Sequence, residues 1–316
     1  MNGELILADA PPRIAPRIAP RISVVIPHLN QHEHLTRCLA SLAAGLRLPD
    51  EIFVVDNGSR ELPQAVCAAH PGVTLLQEPI PGPGPARNRG IAAASGDILA
   101  FIDADCLADP GWLAAAEAAM ADPAATILGG DVRIAYADPS RLTAIEAYES
   151  VYAYRMDRYI AQQGFTGTGN LVVRREVVGA VGPFAGVGVA EDRDWGQRAT
   201  AFGFAIRYVP GMKVYHPARQ TFAELCQKWD RQTAHDYVKA KSEGRQLRFA
   251  AKTLAMGVSP LAEAPRILAS NRIVGPRNRC LAFLTLARIR LYRMRKMAHL
   301  LAGGDPEKMS SRWNRT

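Results

Sequence analysis

The chain has 316 residues, 48% apolar and 22% charged, with a formal net charge of +8. That length supports one large core or two modest ones, and no run of 18 apolar residues is present to cross a membrane. Residues 277–316 hold ten Lys or Arg against Asp305 and Glu307, so the rest of the chain is balanced, which argues against a basic nucleic-acid-binding surface spread over the fold.

Five cysteines (Cys38, Cys67, Cys106, Cys226 and Cys280) are scattered, with no C-x-x-C pair. They read as reduced thiols of a cytoplasmic protein rather than a disulfide framework or a zinc site. The first ten residues show no cationic segment leading into an apolar one, so no signal peptide is expected.

Pro12-Arg13-Ile14-Ala15 recurs as Pro16-Arg17-Ile18-Ala19 and as Pro20-Arg21-Ile22-Ser23. Proline at every fourth position forbids a helix interior, and residues 1–21 read as an extended, disordered leader. Val24-Val25-Ile26 then forms a buried strand stopped by Pro27, and Leu35, Leu39, Leu42 and Leu46 recur at helical spacing. A second strand, Ile52-Phe53-Val54-Val55, ends in the turn sequence Asp56-Asn57-Gly58-Ser59. A short helix near Val66, a third strand at Val73-Thr74-Leu75-Leu76 and a helix from about Ala86 follow. The fourth strand, Ile98-Leu99-Ala100-Phe101-Ile102, is apolar on both faces and ends in Asp103-Ala104-Asp105. Strands alternating with helices predict a parallel sheet with right-handed crossovers. Carboxylates at the carboxyl end of such a strand are placed where these sheets bind ligands, and a pair suits a hard divalent cation serving a phosphate.

Asp109-Pro110 predicts the start of a helix that Asp122-Pro123 closes. Residues 127–134 read as extended and 141–163 as one helix. A strand at Asn170-Leu171-Val172-Val173, a helix ending near Gly182-Pro183, a helix over 191–202 and two strands near Ile206 and Val214 complete the pattern. After Pro217 the sequence turns helical and basic.

The ordered motifs of residues 22–217 resemble those of the family 2 glycosyltransferases, inverting enzymes of the GT-A fold. They are Val24-Val25-Ile26-Pro27 with Asn30, Val54-Val55-Asp56-Asn57-Gly58-Ser59, Ala86-Arg87-Asn88 with Gly90, Ser95-Gly96-Asp97 leading to Asp103-Ala104-Asp105, and Glu191-Asp192 with Arg198. The resemblance implies a GT-A fold: a Rossmann-like, mostly parallel α/β sheet flanked by helices, here with a C-terminal helical basic extension. It divides the chain into the leader, a catalytic domain over 22–220 (22–106 for the nucleotide, 107–220 for the acceptor) and the extension over 221–316.

The same resemblance assigns roles. Pro27, Asn30, Asp56, Arg87, Asp97 and Asp103 fall at nucleotide-binding positions. Asp56 would accept from the ring N–H of uracil or thymine, UDP first and dTDP second, unless it forms only an Asx-turn with its own backbone. Asn57 stands where many relatives carry a second aspartate, which leaves the ribose contact open. Arg87, at a helix start behind a Pro/Gly loop, suits a diphosphate. Asp97 and Arg89 have equally ordinary readings as turn and solvated-helix residues. Asp105 is the first metal ligand, with Asp103 reaching ribose or metal through water and His216 completing a site for Mn2+ or Mg2+. Asp192 is the general base, and Glu191 orients it or binds the acceptor. Asn170, Thr168 and Trp195 are acceptor candidates, Trp195 as a stacking platform or else as core. A single sugar per encounter is expected, because Gln227-Lys228-Trp229-Asp230-Arg231 lacks the Gln-x-x-Arg-Trp order of processive relatives.

Residues 277–302 mix seven cations with apolar side chains that do not segregate onto one helical face. They are read either as a peripheral attachment to the inner membrane face, where a lipid-linked glycan acceptor would be met, or as a helix packed on the protein. The partners expected are a nucleoside diphosphate sugar and a hydroxyl acceptor, with no nucleic acid. The sequence leaves the oligomeric state open. Two rival classes remain at this stage. A sugar-nucleotide-forming nucleotidyltransferase would need a Gly-rich basic loop that Pro27-His28-Leu29-Asn30 does not supply, and a non-catalytic sugar-nucleotide-binding module would have no turnover.

Overall fold

The computed structural model describes residues 20–310, so most of the leader read over 1–21 lies outside the described residues. The first half alternates strand and helix: β1 (Ile22–His28), α1 (His32–Ala43), β2 (Glu51–Asp56), α2 (Gln64–Ala68), β3 (Val73–Gln77), α3 (Pro83–Ala93) and β4 (Ile98–Ile102). The second half runs β5 (Leu107–Ala108), α4 (Trp112–Met120), β6 (Ile127–Ala135), α5 (Ala144–Tyr152), α6 (Met156–Gln163), β7 (Asn170–Arg174), α7 (Arg175–Val181), α8 (Glu191–Ala201) and β8 (Ile206–Pro217). Four helices follow: α9 (Phe222–Ser242), α10 (Gln246–Leu268), α11 (Pro276–Leu301) and α12 (Pro306–Ser310).

One eight-stranded sheet, ordered β3-β2-β1-β4-β7-β6-β8-β5, carries the fold. The strands β3, β2, β1 and β4 are parallel, as alternation predicts, so His28, Asp56 and Asp103 emerge on one rim. The second half is mixed: β7 runs antiparallel to both β4 and β6, while β6 and β8 are parallel. Period-two alternation fills both faces. Val24, Ile26, Ile98, Ala100 and Ile102 pack against α1 and α4 on one side, and Val25, Leu99 and Phe101 face Phe184 and Trp195 on the other.

Two element assignments differ from the sequence reading. The stretch read as one helix over 141–163 is broken into α5 and α6, with Tyr154 at the break in the left-handed region (φ 49°). The break brings the Tyr154 ring against His216, with centroids 4.6 Å apart. A Thr143–Glu146 capping box starts α5 and fixes where the first helix begins. The two strands read near Ile206 and Val214 are one strand, β8, whose register against β6 slips between Gly130 and Asp131. Pro210 and Gly211 occupy that bulge, where proline's missing N–H costs no ladder bond.

The helices after β8 share a core with the sheet domain. Ala282, Leu286 and Ile289 of α11 pack against Ala147, Tyr148 and Val151 of α5 and Leu225 of α9. Arg293 also lies on the buried face, its guanidinium 3.7 Å from the centroid of the Trp229 ring. A buried cation explains why the charges of 277–302 fail to segregate on a helical wheel. Among the described residues no helix is long and apolar enough to cross a membrane. Because Leu286 fills this core while Leu284 on the same helix faces outward, Leu286→Ala is expected to cost about 3 kcal/mol and Leu284→Ala under about 0.5 kcal/mol, read by urea denaturation.

Candidate active site

Three segments far apart in the chain meet at the carboxyl rim of the sheet. Arg87 projects from the first turns of α3 and is 2% exposed. One guanidinium nitrogen donates to Asp103 Oδ1 at 2.7 Å, just past β4, and the other to Glu191 Oε1 at 2.8 Å, at the start of α8. The fork therefore pins β4 to α8, and its Nε finds no partner among the described residues. Gly169 lies under the same carboxylate: a Cβ there would stand 2.6 Å from Asp103 Oδ2. A residue with a Cβ at 169 would have to displace that carboxylate from its place beside Arg87.

A cleft of about 300 Å³ opens at this junction, lined by Arg87, Asp103, Glu191, Asp192, His216, Thr168, Tyr154 and Tyr159, with Arg219 and Lys228 also on its wall. Asp192 sits in the first turn of α8 and accepts from the Arg193 backbone N–H at 2.7 Å. Burial, reinforced by the adjacent Glu191 carboxylate, pushes its carboxyl above the ordinary range. Asp105 is also pushed up by burial, which the nearby His216 opposes. In both, burial disfavours the ionised form.

Asp105, Cys106 and His216 bring potential ligand atoms within 4.8 Å of one another. Burial and the neighbouring carboxylates hold the Cys106 thiol well above its usual value. His216 Nδ1 lies 2.7 Å from the Pro217 carbonyl, which can only accept, so Nδ1 carries the proton. Nε2 lies 3.5 Å from Asp105 Oδ2. An imidazole oriented by a carbonyl behind it, beside a carboxylate, fits a divalent cation.

Beside the cleft on the same rim, Asp56 is almost fully enclosed. Its Oδ1 pairs with His28 Nδ1 at 3.0 Å, and its Oδ2 accepts from the Gly58 and Ser59 N–H groups. His28 Nε2 accepts from the Gln31 N–H, so Nδ1 donates to Asp56. The Asx-turn is thus present, joined by a histidine contact that the sequence reading does not anticipate. Pro27 pairs with Val55 inside the sheet, and Asn30, in the left-handed region, accepts from the Arg60 N–H and ties the two strand-end loops together. Asn57 donates to the Glu78 and Ile80 carbonyls and accepts from the Gly82 N–H, fastening the loop that leads into α3.

Pro27, Asn30, Asp56 and Asp105 are not among the residues that line the cleft, and Asp97, Asn170 and Trp195 are engaged away from it. Asp97 precedes β4, at the opposite rim of the sheet from the cleft, and accepts from the Arg21 N–H. Asn170 is fully buried: its amide donates to the Asp131 and Met212 carbonyls and its oxygen accepts from the Trp112 indole, so its bonding capacity is used inside the protein. Trp195 is 2% exposed and stacked on Phe184, its indole donating to the Gly182 carbonyl. Thr168 does line the cleft.

Sequence reasoning misses Tyr154, Tyr159, Arg219 and Lys228. Arg219 is held by the buried Glu149 of α5, which also accepts from its backbone N–H at 3.0 Å. Burial, helped by Arg219, pushes the Lys228 amine down to about 8. Lys228 also borders a larger neighbouring cavity of about 790 Å³ that Ala190, Gln232 and His235 line. The only signal for it in the sequence is its place in Gln227-Lys228-Trp229, a segment that speaks there only through the processive motif it lacks.

The sequence model of the family described as Glycosyl transferase family 2 matches residues 23–182. The chain is 34% identical over 214 residues to the glycosyltransferase AglE of Haloferax volcanii, covering 65% of this chain and 69% of that protein. It is 28% identical over 205 residues to a pre-mycofactocin glycosyltransferase of Mycobacterium tuberculosis, covering 62% of this chain but only 43% of that protein. Among solved structures, the mannosyltransferase PcManGT of Pyrobaculum calidifontis, in complex with GDP-Man and Mn2+, aligns with a TM-score of 0.56 at 18% identity. That alignment covers 94% of this chain and 92% of the other, and at such identity it shows a shared fold.

Replacing Arg87 leaves Asp103 and Glu191 without their shared partner. Arg87→Met is expected to lower stability by about 2 kcal/mol near neutral pH, discounted for the partial exposure of both carboxylates. Chemical denaturation of the two proteins side by side reads the difference.

Proposed function

The chain belongs to glycosyltransferase family 2 and is a glycosyltransferase with the GT-A fold, and from that premise we propose that it moves one sugar, with inversion, from a nucleoside diphosphate sugar to a hydroxyl acceptor in a metal-dependent reaction. Family membership leaves no place for the nucleotidyltransferase and binding-module readings. The observation that carries the proposal is the Arg87 fork. It holds Glu191, and with it the Asp192 carboxylate next in sequence, at the cleft that Asp103 and His216 also line.

In this reading the acceptor oxygen attacks the anomeric carbon while the bond to the diphosphate oxygen breaks. The electron pair leaves with the diphosphate, and the acceptor proton passes to the Asp192 oxygen not engaged by the Arg193 N–H. One base and no enzyme nucleophile give a single displacement, hence inversion. Asp105 and His216 would hold Mn2+ or Mg2+, with Asp103 beside them; when bound, the cation neutralises charge developing on the leaving diphosphate. A protein of the same fold, PcManGT, has been solved with GDP-Man and Mn2+, which supports a donor and a cation of these classes.

Arg87 has its guanidinium committed to two carboxylates, so positive charge for the donor phosphates falls to the metal together with Arg219 and Lys228. Asp56 is held by His28, by the Gly58 and Ser59 N–H groups and by the Ser59 hydroxyl, and in this reading a uracil or thymine ring N–H would take the place of one of these partners. Tyr154 and Tyr159 offer apolar faces inside the cleft for a sugar ring, the role that the buried Trp195 does not fill.

A panel of UDP-, dTDP- and GDP-linked sugars, assayed for donor hydrolysis with Mn2+, tests the reading directly; no turnover of any of them sinks it. Asp192→Asn is expected to lower kcat about a thousandfold with little change in nucleotide affinity measured by calorimetry. Because burial and Glu191 raise the Asp192 carboxyl, the acidic limb of kcat/KM should lie above the usual carboxylate range, activity falling as pH drops through it. Chelation, and Asp105→Ala, should each abolish metal-stimulated turnover, the first reversibly on adding Mn2+.

A further inference from the structure

The surface of α10 is the least explained part of the molecule. Leu247, Leu254, Leu261 and Leu268 recur every seventh residue with Val258 beside them, and all five are between 65% and 89% exposed. The positions between them on that face are alanine, glycine and proline, so the strip carries no charge along the length of the helix. The opposite face is spent inside the protein: Phe249 and Met256 pack against Met297 of α11. Single exposed apolar residues are ordinary, but a continuous uncharged ribbon on a 23-residue helix is not.

The neighbouring helix supplies the complementary feature. α11 packs alongside α10 and presents Arg277, Arg288 and Arg295 outward with Leu284 and Leu291. Arg248 on α10 is exposed as well. An apolar ribbon next to long cationic side chains matches a helix lying in the plane of a bilayer, its leucines in the acyl boundary and its guanidinium groups at anionic headgroups. The helix is not apolar enough to span. A second copy of the chain is a poorer occupant, because pairing this face about a two-fold axis brings the same arginines together.

We propose that the α10–α11 hairpin seats the enzyme on an anionic lipid surface, with the α10 ribbon as the inserted element. This moves the apolar anchor away from α11, whose Leu286, Ile289 and Leu300 are buried in the protein. The hairpin is tied to the catalytic sheet, so the cleft has a fixed attitude to the surface: Arg272, in the turn, donates to the Asp131 carboxylate and to the Val132 carbonyl, and Val132 itself lines the cleft.

The test is flotation of the full chain with vesicles of phosphatidylcholine, with and without phosphatidylglycerol, and reads binding alone. The wild type should float with the anionic vesicles. The Leu254→Asp and Leu261→Asp double variant should bind at least about tenfold more weakly, and Arg248→Gln with Arg295→Gln should lose the preference for phosphatidylglycerol. Circular dichroism melts check that the variants stay folded. As a second measurement, a polarity-sensitive fluorophore attached within the ribbon, at Leu254→Cys in a Cys280→Ser background, should shift to the blue on adding anionic vesicles. Absence of flotation, flotation that the aspartates leave intact, an unshifted probe, or a concentration-dependent dimer that the aspartates disperse would each overturn the proposal.

Discussion

A single buried guanidinium organises the catalytic end of this protein. Arg87 is enclosed, and a buried cation is tolerated only with anions in hydrogen-bonding reach. It finds one on the strand that ends at Asp103 and one on the helix that begins at Glu191. Those carboxylates are separated by much of the second half of the chain, with β5, β6, β7 and four helices between them. The arrangement is mutually dependent: without either acid the guanidinium is under-compensated, and without the guanidinium two acids face each other across a cleft. Gly169, pressed against Asp103, extends the same constraint to the 166–169 loop.

The arrangement gives the cleft an acidic side, opposite the wall that carries Arg219 and Lys228. Asp103, Asp105, Glu191 and Asp192 cluster around one committed arginine. Burial raises the carboxyls of Asp105 and Asp192, so each is costly to keep ionised in isolation. His216 stands beside them, its Nδ1 at the Pro217 carbonyl and its Nε2 3.5 Å from Asp105 Oδ2. In the proposed reaction a bound divalent cation would offset this acidic side, and Asp192, next to Glu191 in the first turn of α8, would take the acceptor proton.

Much of this is legible in the chain because parallel α/β folds write their geometry into local pattern. Continuous apolar strands such as Ile98–Ile102 are visible as runs, and carboxylates at their carboxyl ends must emerge on one rim once the strands are parallel. The contributions of the mixed half are harder to see. Tyr154 enters through a left-handed break inside what reads as one amphipathic helix, and no residue type there announces it. Asn170 and Trp195 carry side chains equally suited to binding a sugar or to satisfying an interior. Only the contacts of Trp112, Met212 and Phe184 decide for the interior. Arg87 reads as a phosphate ligand because charge and position allow it, whereas its partners are acids distant in sequence.

The helices that follow the sheet are part of the catalytic architecture rather than an appendage to it. Glu149, on α5, reaches out to hold Arg219 at the cleft, while α5 itself is buried under α11. Lys228, on α9, stands in the cleft wall and in the wall of the larger cavity next to it. Its depressed amine reflects burial among cations, Arg219 foremost, so this corner attracts negative charge while the Asp103–Asp192 side attracts positive. A donor with an anionic diphosphate and a cation bound to it is polar in the same sense. The field of the cleft therefore depends on helices that the strand-and-turn motifs of the first half do not encode, and displacing α9 or α11 would alter the chemistry without touching a single carboxylate of the rim.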